Sequence, residues 1–162
     1  MLSPYQLYEN DELSYEFITD QGVRYKIYFL DTSYLFEDYA SLKQEKVYSF
    51  NIDEVERSQG SNVGSDRRIG LTVHNMFLHF FAQINNVAIY VCDSLDNRQL
   101  ARKRKFDSWF SFFGDDTILK VNGEANMEGT KIFNAILVHR KNPKLEDFIE
   151  AFIDLYKIAS IK

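Results

Sequence analysis

Hydrophobic and polar residues alternate in several segments of the first third of the chain, and this pattern predicts β-strands. Alternation with a period of two is typical of a strand that buries one face. The turn signal Asp20-Gln-Gly22 separates the first two segments and predicts a β-hairpin. The three predicted strands are residues 14–19, 23–30 and 46–52. Between the last two, residues 31–45 are rich in Tyr and Phe and predict either a short helix or an irregular aromatic lid.

The apolar period changes to three and four after a loop at residues 56–66 that contains Gly and Ser. A helix is therefore predicted from Arg67 to Asn85, with Asp66 as its N-cap. An uninterrupted apolar run, Val87–Cys92, then predicts a central strand covered on both faces. The apolar stripe of the helix consists of Ile69, Val73, Met76, Phe77, Phe80, Phe81 and Ile84.

The last third of the chain predicts a helix, two strands and a final helix. These are a helix at residues 97–113, strands at 117–121 and 131–139, a turn at Asn122-Gly123, and a helix that begins after Asn142-Pro143. The element order is β-β-β-α-β-α-β-β-α. We therefore predict an α+β fold for residues 1–162, a single globular domain whose mixed, mostly antiparallel sheet has helices packed on it. Residues 1–13 are polar and predict a loosely ordered lead-in.

Composition narrows the function classes. A 15% aromatic share within a 45% hydrophobic chain supports a real core and excludes disorder. The net charge of −5 disfavours nonspecific electrostatic binding to nucleic acid. The single Cys92 excludes an internal disulfide or a multi-cysteine metal site, and the three histidines have no metal-ligand spacing. The sequence shows no signal peptide and no apolar run of the length, roughly 20 residues, that a membrane helix needs, so we expect a cytoplasmic protein with no membrane contact.

One segment resembles the signature of a small bacterial family of unknown function, found mostly in Bacteroidetes. The matching residues are Cys92-Asp93-Ser94-Leu95-Asp96-Asn97-Arg98, then Arg102, and then Phe106-Asp-Ser-Trp-Phe110. The resemblance extends over nearly the whole chain. It implies no particular activity.

The element order is also similar to the core of the GNAT acyltransferase superfamily. In that superfamily a strand meander leads into a helix through an Arg/Gln-x-x-Gly-x-Gly/Ala loop, which holds the pyrophosphate of coenzyme A. Arg67, Arg68, Gly70 and Thr72 match this loop if Thr takes the place of its last small residue. The resemblance implies that these four residues bind coenzyme A or acetyl-CoA. An N-acyltransferase reaction, if the site is catalytic, would be attack of a substrate amine on the thioester.

The same helix start can also be interpreted without a ligand. A helix N-terminus attracts anions, and two arginines would add to this attraction. The alternative is an ordinary capped helix whose arginines are solvated. A V-shaped splay between the central strand and strand 117–121, with an open cleft over Gly70, would favour the ligand hypothesis. A filled cleft would favour docking of a partner protein.

A second candidate site lies at the carboxyl end of the central strand. Helical spacing puts Arg102 and Trp109 on one apolar face of the second long helix, close to Cys92. A half-buried Arg needs a partner, and Asp93 and Asp96 are the nearest acids in sequence. The group, which includes Arg98, is therefore either a structural Arg–Asp clamp or a polar ligand pocket.

Five cations lie within residues 98–105 of this helix: Arg98, Arg102, Lys103, Arg104 and Lys105. They either contact a phosphate or an acidic partner, or they form a solvated face. Two functional hypotheses follow. The first is a GNAT-like domain that binds acyl-CoA and has kept or lost catalysis. The alternative is a non-enzymatic interaction module that docks a protein partner, or a second copy of itself, through aromatic surface and this basic helix.

Overall fold

A seven-stranded sheet organises the computed structural model, which describes residues 2–11, 13–57, 66–92, 99–112 and 116–161. The strands are β1 (Tyr8–Asp11), β2 (Ser14–Ile18), β3 (Val23–Asp31), β4 (Val47–Arg57), β5 (Val87–Cys92), β6 (Ile118–Met127) and β7 (Thr130–His139). The helices are α1 (Arg67–Phe80), α2 (Gln99–Phe112) and α3 (Leu145–Ile161), with a short 3-10 helix at Ser33–Phe36. The short helix confirms one of the two predictions for residues 31–45.

The sheet has the order β1-β2-β3-β4-β5-β7-β6, and neighbouring strands are antiparallel except for β4 and β5. The predicted α+β class, with a mixed and mostly antiparallel sheet, is therefore confirmed. The parallel pair arises because α1 carries the chain across the sheet between β4 and β5, as a parallel connection requires.

Helices cover the sheet on two faces, and each face has its own hydrophobic core. α1 and α2 pack on the first face with Phe133, Ala135 and Leu137 of β7. α3 and the 3-10 helix pack on the second face with Ile136 and Val138. The alternation predicted for this strand is thus confirmed, because residues of opposite parity contact different helices.

The predicted turn at Asn122-Gly123 is wrong. Both residues lie inside β6, where Gly123 pairs with Asn134 of β7. The turn between β6 and β7 is instead at Glu128 and Gly129, which have φ angles of 54° and 81°. A two-residue hairpin turn of type I′ has positive φ at both central positions, and glycine adopts positive φ most easily.

The N-terminal segment is more closely integrated than its polar sequence indicates. Tyr5 is buried, and its ring stacks on Phe17 with 5.9 Å between the ring centroids. Residues Tyr8–Asp11 form β1, a strand that the sequence analysis missed. By contrast, Ile84 is exposed, because α1 ends at Phe80 and the predicted stripe stops there.

Candidate functional site

A cleft opens in the fold where β4 and β5 separate. The two strands pair only through Val47–Val87, Tyr48–Ala88 and Ser49–Ile89. Beyond these pairs β4 follows β3, while β5 follows β7. A cleft of about 700 Å³ opens between them.

The splay that would favour the ligand hypothesis, between the central strand and strand 117–121, does not occur. β7 lies between β5 and β6 and fills that position. The separation occurs instead at the parallel pair β4 and β5. Backbone groups of β4 beyond Ser49 have no strand partner on the β5 side within the described residues.

Residues of both sheet faces line the cleft. On the face of α1 and α2 it is lined by the aromatic rings of Tyr25, Phe50, Tyr90 and Trp109, by the cations Arg57, Arg102 and Lys105, and by Glu54. On the other face it is lined by Tyr28, Asn51, Asp53 and Val91. The predicted pocket residues Arg102 and Trp109 therefore lie in one cleft wall, whereas Cys92 is buried and is not among the lining residues.

Opposite charges face each other across the cleft. Arg57 donates two hydrogen bonds to the Glu54 carboxylate on the same strand, at 2.5 and 2.7 Å. These bonds, together with the positive charge of Lys105 on α2, lower the pKa of Glu54. Lys105 also lies 5.4 Å from the centre of the Trp109 ring. The α2 wall is therefore cationic and aromatic, and the β4 wall carries carboxylates.

Cys92 is not poised as a nucleophile. Burial raises the pKa of its thiol and outweighs the effect of the hydrogen bond to the Tyr90 hydroxyl. Burial also raises the pKa of Tyr90, whose ring stacks on Phe106 at 4.0 Å. Both groups keep their protons at neutral pH, and a thiolate is what reactivity would require.

The described cations of the basic stretch, residues 99–105, are divided among different surroundings. Lys103 binds Asp107 at 2.5 Å, and Lys120 of β6 binds the other oxygen of the same carboxylate. Burial alone would raise the pKa of Asp107, but the two lysines lower it overall. Arg102 and Lys105 lie in the cleft, so the stretch is divided between an internal ion pair and the cleft wall.

The predicted clamp falls partly outside the described residues, because Asp93, Asp96 and Arg98 are not among them. The Arg–Asp clamp therefore stays a prediction. Arg102 has an interaction of its own and is not an unsatisfied charge.

The start of α1 holds the N-terminal segment. Asp66 caps the helix as predicted, because its carboxylate accepts the Arg68 N–H at 2.9 Å. The Arg68 guanidinium donates to the Ser3 carbonyl at 2.8 Å and to Asp20 at 2.7 Å, and it lies 3.9 Å from the centre of the Tyr5 ring. Arg68 thus joins the N-terminal segment, the turn between β2 and β3, and α1. We call this group of contacts around Tyr5 the Tyr5 anchor.

Thr72 takes part in the same anchor. Its hydroxyl accepts the Tyr5 N–H at 2.8 Å and donates to the Arg68 carbonyl at 2.7 Å. The Tyr5 hydroxyl donates to Asp66 at 2.5 Å and accepts the Asp20 N–H at 3.2 Å. Arg67, in contrast, is exposed.

Gly70 permits a close approach of two helices. A Cβ atom on Gly70 would lie 2.9 Å from Cδ1 of Trp109, so the indole fills the space above this residue. The cleft is therefore open beside Trp109 and filled over Gly70, which is opposite to what the ligand hypothesis expected at that residue.

The Tyr5 anchor can be tested by removing one oxygen atom. Tyr5→Phe is expected to lower the free energy of unfolding by about 1–3 kcal/mol, because a hydrogen bond to a carboxylate is lost. Urea unfolding measures this difference, with Tyr8→Phe, an exposed neighbour, as control. Equal stability of the two variants would contradict the anchor.

One protein family matches the sequence over residues 65–154, which is more than half of the chain. The chain belongs to this family of unknown function, DUF6169. The match begins immediately before the α1 cap and ends within α3. The DUF6169 region therefore supplies the α2 wall of the cleft and β5, whereas the β4 wall lies outside the matched region. No curated protein matches the sequence.

Two further findings limit the chemistry of the part of the chain that is described. No group of three His, Cys, Asp or Glu residues there is placed to hold a metal ion. None of its helices is both long and apolar enough to cross a membrane.

The β4 side of the cleft was missed by sequence reasoning. Arg57 was assigned to a surface loop, and Glu54 had no assigned role. The apolar alternation of Tyr48, Phe50 and Ile52 ends before Glu54, so the pattern carried no signal for the place of Glu54 or Arg57 in the cleft. Only the divergence from β5 brings these residues opposite α2.

Proposed function

We propose that this protein is a GNAT-like domain that binds an acyl-CoA-type thioester in the cleft between β4 and β5. The observation that carries the proposal is the separation of these parallel strands after three residue pairs, with a cleft of about 700 Å³ at the separation. Ligands of open sheets bind at such crevices beyond the carboxyl ends of strands. The resemblance in element order supports the same ligand class.

The lining of the cleft suits a ligand that combines phosphates with an extended arm. Arg102 and Lys105 on α2 would bind phosphate oxygens, and Trp109 offers a ring face for stacking. The edge of β4 beyond Ser49, which has no strand partner on the β5 side among the described residues, would donate N–H groups to amide and thioester carbonyls. Such donors, fixed in advance, also stabilise the charge that develops on a thioester carbonyl under attack.

The phosphate position that we propose differs from the one that the resemblance implies. Arg68 and Thr72 already bind the N-terminal segment, and Trp109 fills the space over Gly70. A carboxylate, Asp66, occupies the helix start and would repel a pyrophosphate there. We therefore place the phosphates against Arg102 and Lys105.

Calorimetry with CoA and with acetyl-CoA tests the proposal. The double variant Arg102→Ala/Lys105→Ala is expected to weaken binding at least about tenfold, since two charge-assisted contacts are lost. Arg140→Ala/Lys141→Ala removes the same charges from an exposed turn and is the matched control. Absence of binding at millimolar ligand would refute the proposal.

A third variant separates the two phosphate positions. Arg67→Ala removes an exposed cation at the start of α1 and should leave the affinity unchanged. Loss of binding in this variant alone would move the phosphates to α1. The alternative hypothesis, docking of a protein partner through aromatic surface and the basic helix, involves residues of the same α2 wall, so a partner that covers Arg102 and Lys105 would compete with a ligand in the cleft.

A further inference from the structure

A second groove lies on the other side of the molecule, between α3 and the segment that follows the 3-10 helix. Leu42 lies at its buried floor, Tyr39 and Ile153 form its walls, and Asp147, Glu150 and Asp154 line its rim. Its volume is about 510 Å³. We call it the α3 groove. It shares no lining residue with the β4–β5 cleft, and its proposed occupant is independent of the ligand proposed for that cleft.

The charge of the α3 groove has one sign. Three carboxylates line it, and no Lys, Arg or His is among its described lining residues. Asp147 lies in the first turn of α3, where the helix dipole stabilises a negatively charged side chain. That effect fades after the first turn, so it does not account for Glu150 and Asp154.

The carboxylates are arranged along a line and do not converge on a point. Asp147, Glu150 and Asp154 are spaced i, i+3 and i+7 on α3. The row of three carboxylates therefore extends over about 10 Å along the helix axis. A single cation cannot contact all three, which agrees with the finding that no metal-binding group of acids occurs in the described part of the chain. An occupant would therefore carry several positive charges at matching intervals.

The groove also presents an apolar contact. The Ile153 side chain is 52% exposed beside the buried floor at Leu42. The Tyr39 hydroxyl donates to Asp154 at 2.7 Å and keeps this carboxylate at the wall. A purely ionic ligand would leave Ile153 unused, whereas an amphipathic one would cover it.

We propose that the α3 groove docks a basic amphipathic helix of a partner protein, with Lys or Arg side chains against the three carboxylates and an apolar side chain against Ile153. Helices bind in grooves through anchors spaced by three and four residues, which is the spacing that α3 offers. Complementary charge sets orientation and speeds association. Tyr39 and Ser41, which follow the 3-10 helix, form the opposite wall.

Fluorescence anisotropy with a synthetic peptide tests this proposal. The probe is a labelled helical peptide of about 15 residues made of Ala, with Lys at positions i, i+3 and i+7 and one Leu on the same face. The full chain is expected to bind it saturably, and the affinity should fall as salt rises from about 50 to about 500 mM. A peptide with Glu in place of Lys should not bind.

Paired variants locate the contact. The variant Asp147→Asn/Glu150→Gln is expected to lower the affinity for the peptide about three- to thirtyfold. The variant Glu9→Gln/Asp11→Asn makes the same charge change on exposed β1 and should change the affinity less than about twofold. Ile153→Ser should weaken binding without altering its salt dependence. Circular dichroism of each variant verifies that it is folded.

Several outcomes would overturn the proposal. One is the absence of saturable binding at about 1 mM peptide. Another is an equal loss of affinity in the β1 control variant, which would mean that the peptide is attracted by net charge alone. Sedimentation showing a dimer that Asp147→Asn/Glu150→Gln dissolves would make a second copy the occupant. A rise in melting temperature with millimolar Ca²⁺, abolished by the same variant, would make a cation the occupant.

Discussion

Replacing Phe50 by alanine is expected to lower the free energy of unfolding by about 3–5 kcal/mol. Phe50 lies on β4 immediately after the last residue paired with β5, and only 2% of it is exposed. Its ring contacts Phe77 and Phe106 on the helices and Tyr90 on β5, with centroid distances of 4.9–5.9 Å. Alanine would leave a cavity where both helices meet the sheet.

Urea unfolding followed by circular dichroism measures the effect of this substitution. Because the total stability of a domain is about 5–15 kcal/mol, Phe50→Leu provides a milder variant that should stay folded and show an intermediate loss. Tyr34→Ala, at an exposed position, should change stability by less than about 0.5 kcal/mol. A loss below about 1 kcal/mol for Phe50→Ala would contradict the packing described for β4.

Gly123→Ala is expected to destabilise the protein by about 2–3 kcal/mol through overpacking. The added Cβ would lie 2.3 Å from Oδ1 of Asn134 and 3.1 Å from two ring carbons of Phe152. Both neighbours are buried, so neither can move freely into solvent. Thermal and urea unfolding of the variant give the magnitude.

A second substitution distinguishes this steric cause from a general intolerance of β6. Asn134→Ala removes the amide that collides with the new methyl group, and Oδ1 of Asn134 has no hydrogen-bond partner in the described structure. The double variant Gly123→Ala/Asn134→Ala should therefore be more stable than Gly123→Ala. Gly129→Asn is the control, because nothing lies within 4 Å of a Cβ there and Asn tolerates positive φ. Absence of rescue would refute the collision.

The candidate site was predictable on one wall and not on the other. Helical spacing places Arg102 and Trp109 on one face of α2, and both line the cleft. Glu54 and Arg57 could not be assigned, because their role depends on where β4 leaves β5. Gly70 was interpreted as a phosphate-binding glycine, but Trp109, far away in sequence, occupies the space above it.

The sequence by itself determined the local elements and the class of the fold. Period-two and helical patterns depend on neighbouring residues, so β2, β3, β5 and β7 and the three helices follow from them, as does the cap at Asp66. A periodic pattern identifies which face of an element is apolar. It does not identify the element against which that face will pack.

Only the tertiary structure decided which elements became neighbours. The insertion of β7 between β5 and β6, the short pairing of β4 with β5, and the approach of α2 to α1 at Gly70 each join residues distant in sequence. Such contacts form because all apolar faces must be buried at once, with every buried strand edge paired. The cleft exists where this joint requirement leaves the β4 and β5 edges apart.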